Sequence, residues 1–367
     1  MSRLRMGMML FCSLAAALPS GAAADPPTSE PAGVTIRTSP NARHEVHVVL
    51  PERWRALPGS SPSLPAASGP VTDRYLTAGG RTYWIDDAYQ LYDPEANKLI
   101  RPDYEARREL AAAVREASSQ YYGKLVTWEE GRQVIGMKGI FTVVDLETGL
   151  TFRAQRRAGS THADVQPLTL QDTAVMKRIY GGRWTWKRRA ILVRKDGHSL
   201  AASMHGMPHG GDGIPGNGFS GHFCIHFLGS RTHGSGEVDP DHQVMLHKAA
   251  GQLRRYISDR GASPMALADL YLSAINQQDT EIAAALFRSR SAAMPHVERD
   301  FPAISAIRRV SPDLELGVDA EDALVLTAAI RVNIFGSAGT KHHRKMTFHY
   351  MREGIGEPWK IDGIQMH

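Results

Sequence analysis

"SGHFCIH", residues 220–226, decides how the middle of this chain is read. Its apolar and polar residues alternate with a period of two. On a strand, Phe223 and Ile225, continued by Phe227, share one face, and His222, Cys224 and His226 share the other. The aromatic and β-branched residues favour the strand over a helix. The choice bears on the chemistry. On a helix, His222 and His226 would be neighbours at the i,i+4 spacing of many zinc sites. On a strand they lie about 13 Å apart, too far for one ion with bonds near 2 Å. A metal set then has to combine His222 and Cys224 with residues from elsewhere, and His162 and Asp164 in "STHADV" are the candidates.

Working upstream, residues 206–221 hold seven glycines in sixteen positions, which marks a loop able to adopt positive φ. Before it, "RWTWKRRAILVRKDGHSLAASMHG" (183–206) reads as a hairpin turning at "KDG", and "GIFTVVDLETGLTFRAQR" (139–156) as another turning at "LETG". Trp184 and Trp186 share a face of that stretch, with core packing as their default role and a substrate shelf as the other. His205 ends the second hairpin and opens the glycine loop that returns to Cys224. It is therefore the expected base for the thiol, because His222 and His226 project in parallel with Cys224 and are poorly aimed at it. Seven of the sixteen histidines fall between residues 205 and 247, a local excess pointing to the same region.

Downstream, Asp239-Pro240 caps a helix whose stripe is Met245, Ala249, Leu253 and Ile257, ending at Gly261. The last hundred residues open with two short helices broken at Gln277-Gln278-Asp279. They continue as strand-like runs at 314–318, 323–335, 341–351 and 358–364, the order of an α+β unit. Toward the N-terminus, "RPDYEARRELAAAVREASSQYYG" (101–123) is a helix with Leu110, Ala113, Val114 and Ala117 as its stripe. Residues 25–74 are rich in Pro, Ser, Ala and Gly and read as a flexible spacer, with a short strand at 45–50. The expected division is a leader (1–24), this linker (25–74), a helical subdomain (75–135), a β-rich unit (136–260) and an α+β unit (263–367).

The leader is read from Arg3 and Arg5, the apolar run from Met6 to Leu18, Pro19, and the A-x-A step at Ala22-Ala23-Ala24. It predicts export to a periplasm or beyond, with no transmembrane segment after cleavage. Of the two cysteines, Cys12 leaves with the leader, and Cys224 remains unpaired in an oxidising compartment. The net charge of +5 is spread along the chain and argues against nucleic-acid binding.

Two families are resembled. His205-Gly206, followed by Ser220, His222, Cys224, Ile225 and His226, resembles the signature of exported L,D-transpeptidases of the YkuD type, over about residues 136–235. Gly221 separates Ser220 from His222, Phe223 stands where the family has a small residue, and His226 stands where it has Arg or Asn. "AxxYLxAINxxD" (268–279) and "PWKIDGI" (358–364) resemble the SnoaL-like, nuclear-transport-factor-two-like cone, over about residues 263–366. Together these imply an α+β fold with a β-rich catalytic unit before an α+β cone, and dimerisation through the cone as a partner expectation.

The first resemblance implies acyl transfer on peptidoglycan stem peptides through a Cys224 thioester, with His205 as base and no cofactor. His222 would order the loop. Gly206, Ser220, Phe223, His226 and Arg231 would meet the substrate. Two other readings stay open: a non-catalytic envelope-binding protein with a transpeptidase-like barrel, and a metal-dependent hydrolase using His162, Asp164, His205 or His222.

Overall fold

A computed structural model describes residues 30–211, 213–311, 315–316, 322–336 and 340–367. The leader expectation lies outside them. The fold is α+β. Its first layer is an antiparallel sheet ordered β2-β1-β4-β5-β6-β7-β3. The strands are β1 (Gly33–Ile36), β2 (Val46–Val49), β3 (Ser63–Pro65), β4 (Arg74–Ala78), β5 (Arg81–Ile85), β6 (Leu91–Asp93) and β7 (Lys98–Ile100). The spacer reading of residues 25–74 is therefore corrected, and the helical subdomain expected over residues 75–135 also contributes strands to this sheet. β1 lies between β2 and β4 with Val34 and Ile36 fully buried, and a strand covered on both faces shows no alternation to read. A four-residue helix, α1 (Leu57–Ser60), precedes β3. The predicted long helix is α2 (Tyr104–Tyr121), N-capped by Asp103, whose carboxylate accepts from the Ala106 N–H.

The second layer is a closed six-stranded barrel, β10-β13-β12-β11-β8-β9. β8 (Ile140–Asp145) and β9 (Thr151–Ala158) are the first predicted hairpin, and β11 (Arg188–Lys195) and β12 (His198–His205) the second. The second turns at Asp196 and Gly197, both at positive φ, as a two-residue hairpin requires. β10 (Ala163–Pro167) and β13 (Phe223–His226) close the circle. Two helices flank these strands, α3 (Trp128–Val134) and α4 (Leu170–Ile179). Val143, Phe152, Val165, Ile191, Val193, Met204, Phe223 and Ile225 fill the interior. The "FCI" strand thus points Phe223 and Ile225 inward, as its alternation predicts.

The C-terminal layer packs on the outside of the barrel. α5 (Pro240–Ala249) lies against β11 and β12 and is followed by α6 (Leu253–Arg260). The sequence pattern reads these two as one helix. The structure breaks it at Gly251, which has φ +68° and sits where a Cβ would strike the Tyr122 ring at 2.6 Å. α7 (Pro264–Gln277), α8 (Thr280–Leu286) and α9 (Arg290–Ala303) pack with a sheet ordered β14-β16-β17-β18. Its strands are β14 (Ile304–Arg309), β16 (Val325–Gly336), β17 (Lys341–Met351) and β18 (Lys360–Met366), with β15 (Glu315–Leu316) paired to β16. One apolar core runs from the N-terminal sheet through α2, α5, α7 and α8 to this sheet, and takes in the outer barrel residues Leu192 and Ala201. No helix among the described residues is long and apolar enough to cross a membrane.

The barrel wall carries a buried ion pair. Arg189 donates to both oxygens of the fully buried Asp145 at 2.8 and 2.6 Å, and Thr148 donates to the same carboxylate through its N–H and hydroxyl. Removing the cation strands a desolvated charge. Arg189→Met should cost about 3 kcal/mol, the low end for such breaks because Arg189 keeps some contact with water. The check is a lower urea midpoint at unchanged m-value.

Candidate functional site

Two facing strand positions and a bridge beside them build the site. Antiparallel pairing sets Asp164 of β10 directly opposite Cys224 of β13, with both side chains on the outside of the barrel. Two residues before the cysteine, the chain pairs again: the His209 N–H donates to the His222 carbonyl at 3.0 Å and the His222 N–H to the His209 carbonyl at 2.8 Å. This bridge folds the glycine loop back onto β13 and brings the His209 side chain beside Cys224. Glycines permit it. Gly221 has φ +92°, and a Cβ there would lie 2.4 Å from the His209 carbonyl oxygen. The loop is held from below by buried Gln166, which donates to the Gly221 carbonyl at 2.6 Å, and by Asn217, which donates to the Pro167 carbonyl at 2.9 Å.

His209 Nε2 lies 3.4 Å from Cys224 Sγ. Its Nδ1 faces the Met207 carbonyl at 3.0 Å, so Nδ1 carries the proton and Nε2 presents its lone pair to the thiol. This corrects the expected partner. No hydrogen bond joins His205 to Cys224 among the described residues. The His205 ring is buried between Trp186 and His242, and its Nδ1 accepts from the Met207 N–H at 3.3 Å. His205 instead ends β12 as part of the wall behind His209, at 5.2 Å between ring centres.

A second group converges on Asp164. Its Oδ1 is 2.9 Å from His233 Nε2, 3.1 Å from His162 Nε2, 3.6 Å from His222 Nε2 and 4.0 Å from Cys224 Sγ. His162 Nδ1 donates to the Arg231 carbonyl at 2.6 Å. Burial alone would raise the Asp164 pKa, but the His162 hydrogen bond and the imidazoles of His222, His162 and His233 bring it down to about 2. Burial, reinforced by Asp164, pushes the Cys224 thiol far up, so the resting sulfur is protonated. Two overlapping sets have atoms close enough to share a metal ion: His162, Asp164, Cys224 and His233, and His209, His222, Cys224 and His233.

Behind these lies a stack of three imidazoles. His226 sits 4.8 Å from His162 and 3.7 Å from His242, with the rings within 8° of parallel. His242, in the first turn of α5, reaches the Ser203 hydroxyl through Nδ1 at 2.8 Å. His226 was expected to meet substrate, but it is fully enclosed in this stack.

The other expected substrate contacts scatter. Phe223 turns into the barrel against Phe152 and Phe219, a correction that follows from its place in the alternation. Gly206 serves packing, since a Cβ there would meet the Tyr180 ring at 2.4 Å. Ser220 is exposed on the loop. The Arg231 guanidinium donates to the Gly236 carbonyl at 3.1 Å, so its contribution here is its own backbone carbonyl under His162. His209, His233 and His242 were not singled out from the sequence. The histidine excess between 205 and 247 was the only signal that included them.

Burial holds the pKa values of His205, His226 and His242 well below 6.5, with Arg188 adding to the effect on each. The unfolded chain therefore binds more protons than the folded one below about pH 6.5. Stability is full above that pH and falls as pH drops, each histidine adding a slope of up to about 1.4 kcal/mol per pH unit. Urea midpoints should fall steeply from pH 7.5 to 5.5, and His242→Gln should flatten the fall. A midpoint that does not move across this range contradicts the buried neutral stack.

No protein-family model matches the chain, and no curated protein matches it. Among solved structures, it is similar to a nuclear transport factor 2 (NTF2-like) superfamily protein from Salmonella enterica subsp. enterica serovar Typhimurium str. LT2. That similarity is 14% in identity, covers 32% of this chain and 92% of the other, and has a TM-score of 0.22.

Proposed function

We propose that the chain is an exported cysteine acyl transferase of the L,D-transpeptidase kind, acting on peptide carbonyls of peptidoglycan stems. The observation that supports it is the Cys224–His209 pair, with Nε2 at 3.4 Å from the sulfur and the tautomer fixed through Nδ1. As sulfur attacks the carbonyl, its proton passes to His209 Nε2. The S–C bond forms, the C–N bond breaks, and His209 gives the proton to the departing amine. A second amine attacks the thioester, the S–C bond breaks, and the proton returns to sulfur. Burial lowers the His209 pKa, so its imidazolium is a strong acid toward the leaving group.

The nearest candidate cleft for substrate lies beside the pair and is not lined by Cys224 or His209 themselves. This cleft of about 1110 Å³ runs between the barrel and the C-terminal sheet, lined by Trp186, Met207, Arg188, Asp239, Arg308 and Arg309 among others. Its wall, Trp186, is half exposed and rests 5.3 Å from the His209 ring. Arg188 and Arg309 are tied by Asp239 and Asp269. Arg308 and Lys187 line the cleft without an ion-pair partner among the described residues, and are the cations available to a stem carboxylate.

The test is intact-mass spectrometry after incubation with muropeptides and with a carbapenem. The wild-type protein should gain one covalent adduct, and Cys224→Ser none. His209→Ala should slow acylation by about 10²-fold or more, the usual size of a lost general base. His205→Gln should slow it only a few-fold. An adduct that survives in Cys224→Ser, or a larger loss from His205→Gln than from His209→Ala, would sink the assignment.

A further inference from the structure

We infer that the polar face around Cys224 binds one zinc-class divalent ion through His162 Nε2, Asp164 Oδ1, His233 Nε2 and Cys224 Sγ, and that the bound ion silences the thiol. The second half rests on the acyl-transfer reading above; the first half does not.

The four atoms all lie within 4.8 Å of one another. A tetrahedral ion with bonds of about 2.0–2.3 Å sets its ligand atoms roughly 3.3–3.8 Å apart. The contacts here are 2.9 Å between the two imidazole nitrogens, 3.1 and 2.9 Å from those nitrogens to Asp164, and 4.0 Å from Asp164 to the sulfur. Among His162, His233 and Asp164, movements of a few tenths of an ångström reconcile the two, and the sulfur lies within 4.8 Å of each. His162 is already oriented as a ligand, because its Nδ1 is held by the Arg231 carbonyl and its Nε2 faces His233 and Asp164. His162 Nε2, His233 Nε2 and Asp164 Oδ1 lie within 3.1 Å of one another, a crowding that a shared cation would relieve.

Two imidazoles, one carboxylate and one thiol suit zinc or cobalt better than magnesium or calcium. Asp164 and Cys224 face each other across a strand pair, and His162 directly precedes β10. His233 comes from a loop and is half exposed, so it offers the ion a way in and out. The alternative set replaces His162 and Asp164 with His209 and His222. It lacks the carboxylate and would remove the base from its thiol.

Binding is a simple exchange: the Cys224 S–H bond breaks, a sulfur–metal bond forms, and one proton leaves to solvent. No electron changes hands. A sulfur lone pair held by the ion is not free to attack a carbonyl, so the metal-loaded protein should be inert and the stripped protein competent.

The experiment titrates chelator-stripped full-length protein with Co²⁺ alone, followed by absorption, and then measures carbapenem acylation with and without stoichiometric Zn²⁺. Expected are one equivalent bound, tetrahedral cobalt bands and a cobalt–thiolate charge-transfer band in the near ultraviolet. Cys224→Ser should lose the charge-transfer band. His162→Ala and His233→Ala, shown to be folded by circular dichroism, should bind more than about tenfold more weakly, and His209→Ala as tightly as wild type. Absence of binding, binding without the thiolate band, or weakening by His209→Ala but not His162→Ala overturns the site. Zn²⁺ should slow acylation more than about tenfold, given a thiolate tied to metal; an unchanged rate overturns the silencing. If the stripped protein binds Co²⁺ with the thiolate band but never acylates, the metal site stands and the acyl-transfer reading falls. If it acylates but binds no metal, the reverse holds.

Discussion

The register between β10 and β13 is the constraint on which the site depends. Asp164 faces Cys224 because Ala163 pairs with Ile225 and Val165 with Phe223. A slip by one residue would turn Cys224 and His226 into an apolar barrel and send Phe223 and Ile225 out among the histidines. The register is fixed by burying those two side chains completely, together with Val165 and Met204. Apolar packing on one side of the wall thus positions the chemistry on the other. The polar side adds its own locks: the His209–His222 bridge and the Gln166 amide under the loop.

Much of the barrel was legible in the chain. The hairpins at 139–156 and 183–206 carry alternation and turn residues together, and the strand at 223–226 shows its two faces plainly. The α7–α8 break was legible too, because polar Gln277-Gln278-Asp279 interrupts two apolar runs, and Gln278 there takes a left-handed conformation. What was not legible has physical reasons. β1 is four residues long and buried on both faces, so its pattern is lost among the prolines and serines around it. The α5–α6 break is set by a contact with Tyr122, far away in sequence. His209 escaped notice because its position depends on a two-residue bridge inside a glycine loop. His205, which borders a strand, was the residue that local pattern could see.

The site brings two uses of one thiol into the same few ångströms. On one side of Cys224 stands an imidazole with its lone pair turned to the sulfur. On the other stand a carboxylate and two more imidazoles. Burial and the Asp164 charge both favour the protonated thiol. Whatever ionises it must therefore bring positive charge, either as a proton moved onto His209 during reaction or as an ion among Asp164, His162 and His233. Several histidines close to one sulfur give the protein more than one way to supply that charge, and burial of the His205, His226 and His242 group keeps those rings neutral in the background.

Helix α5 links this chemistry to the rest of the molecule. Its first turn carries His242, seated on the imidazole stack, and its last turn carries Lys248, paired with Asp279 at the N-cap of α8. The two residues are about 9 Å apart along a rigid axis. The cap of a helix in the C-terminal layer and the floor of the thiol site are therefore two ends of one shaft. A change at the Asp279 cap is therefore carried to His242 by a rigid helix and not by a flexible loop.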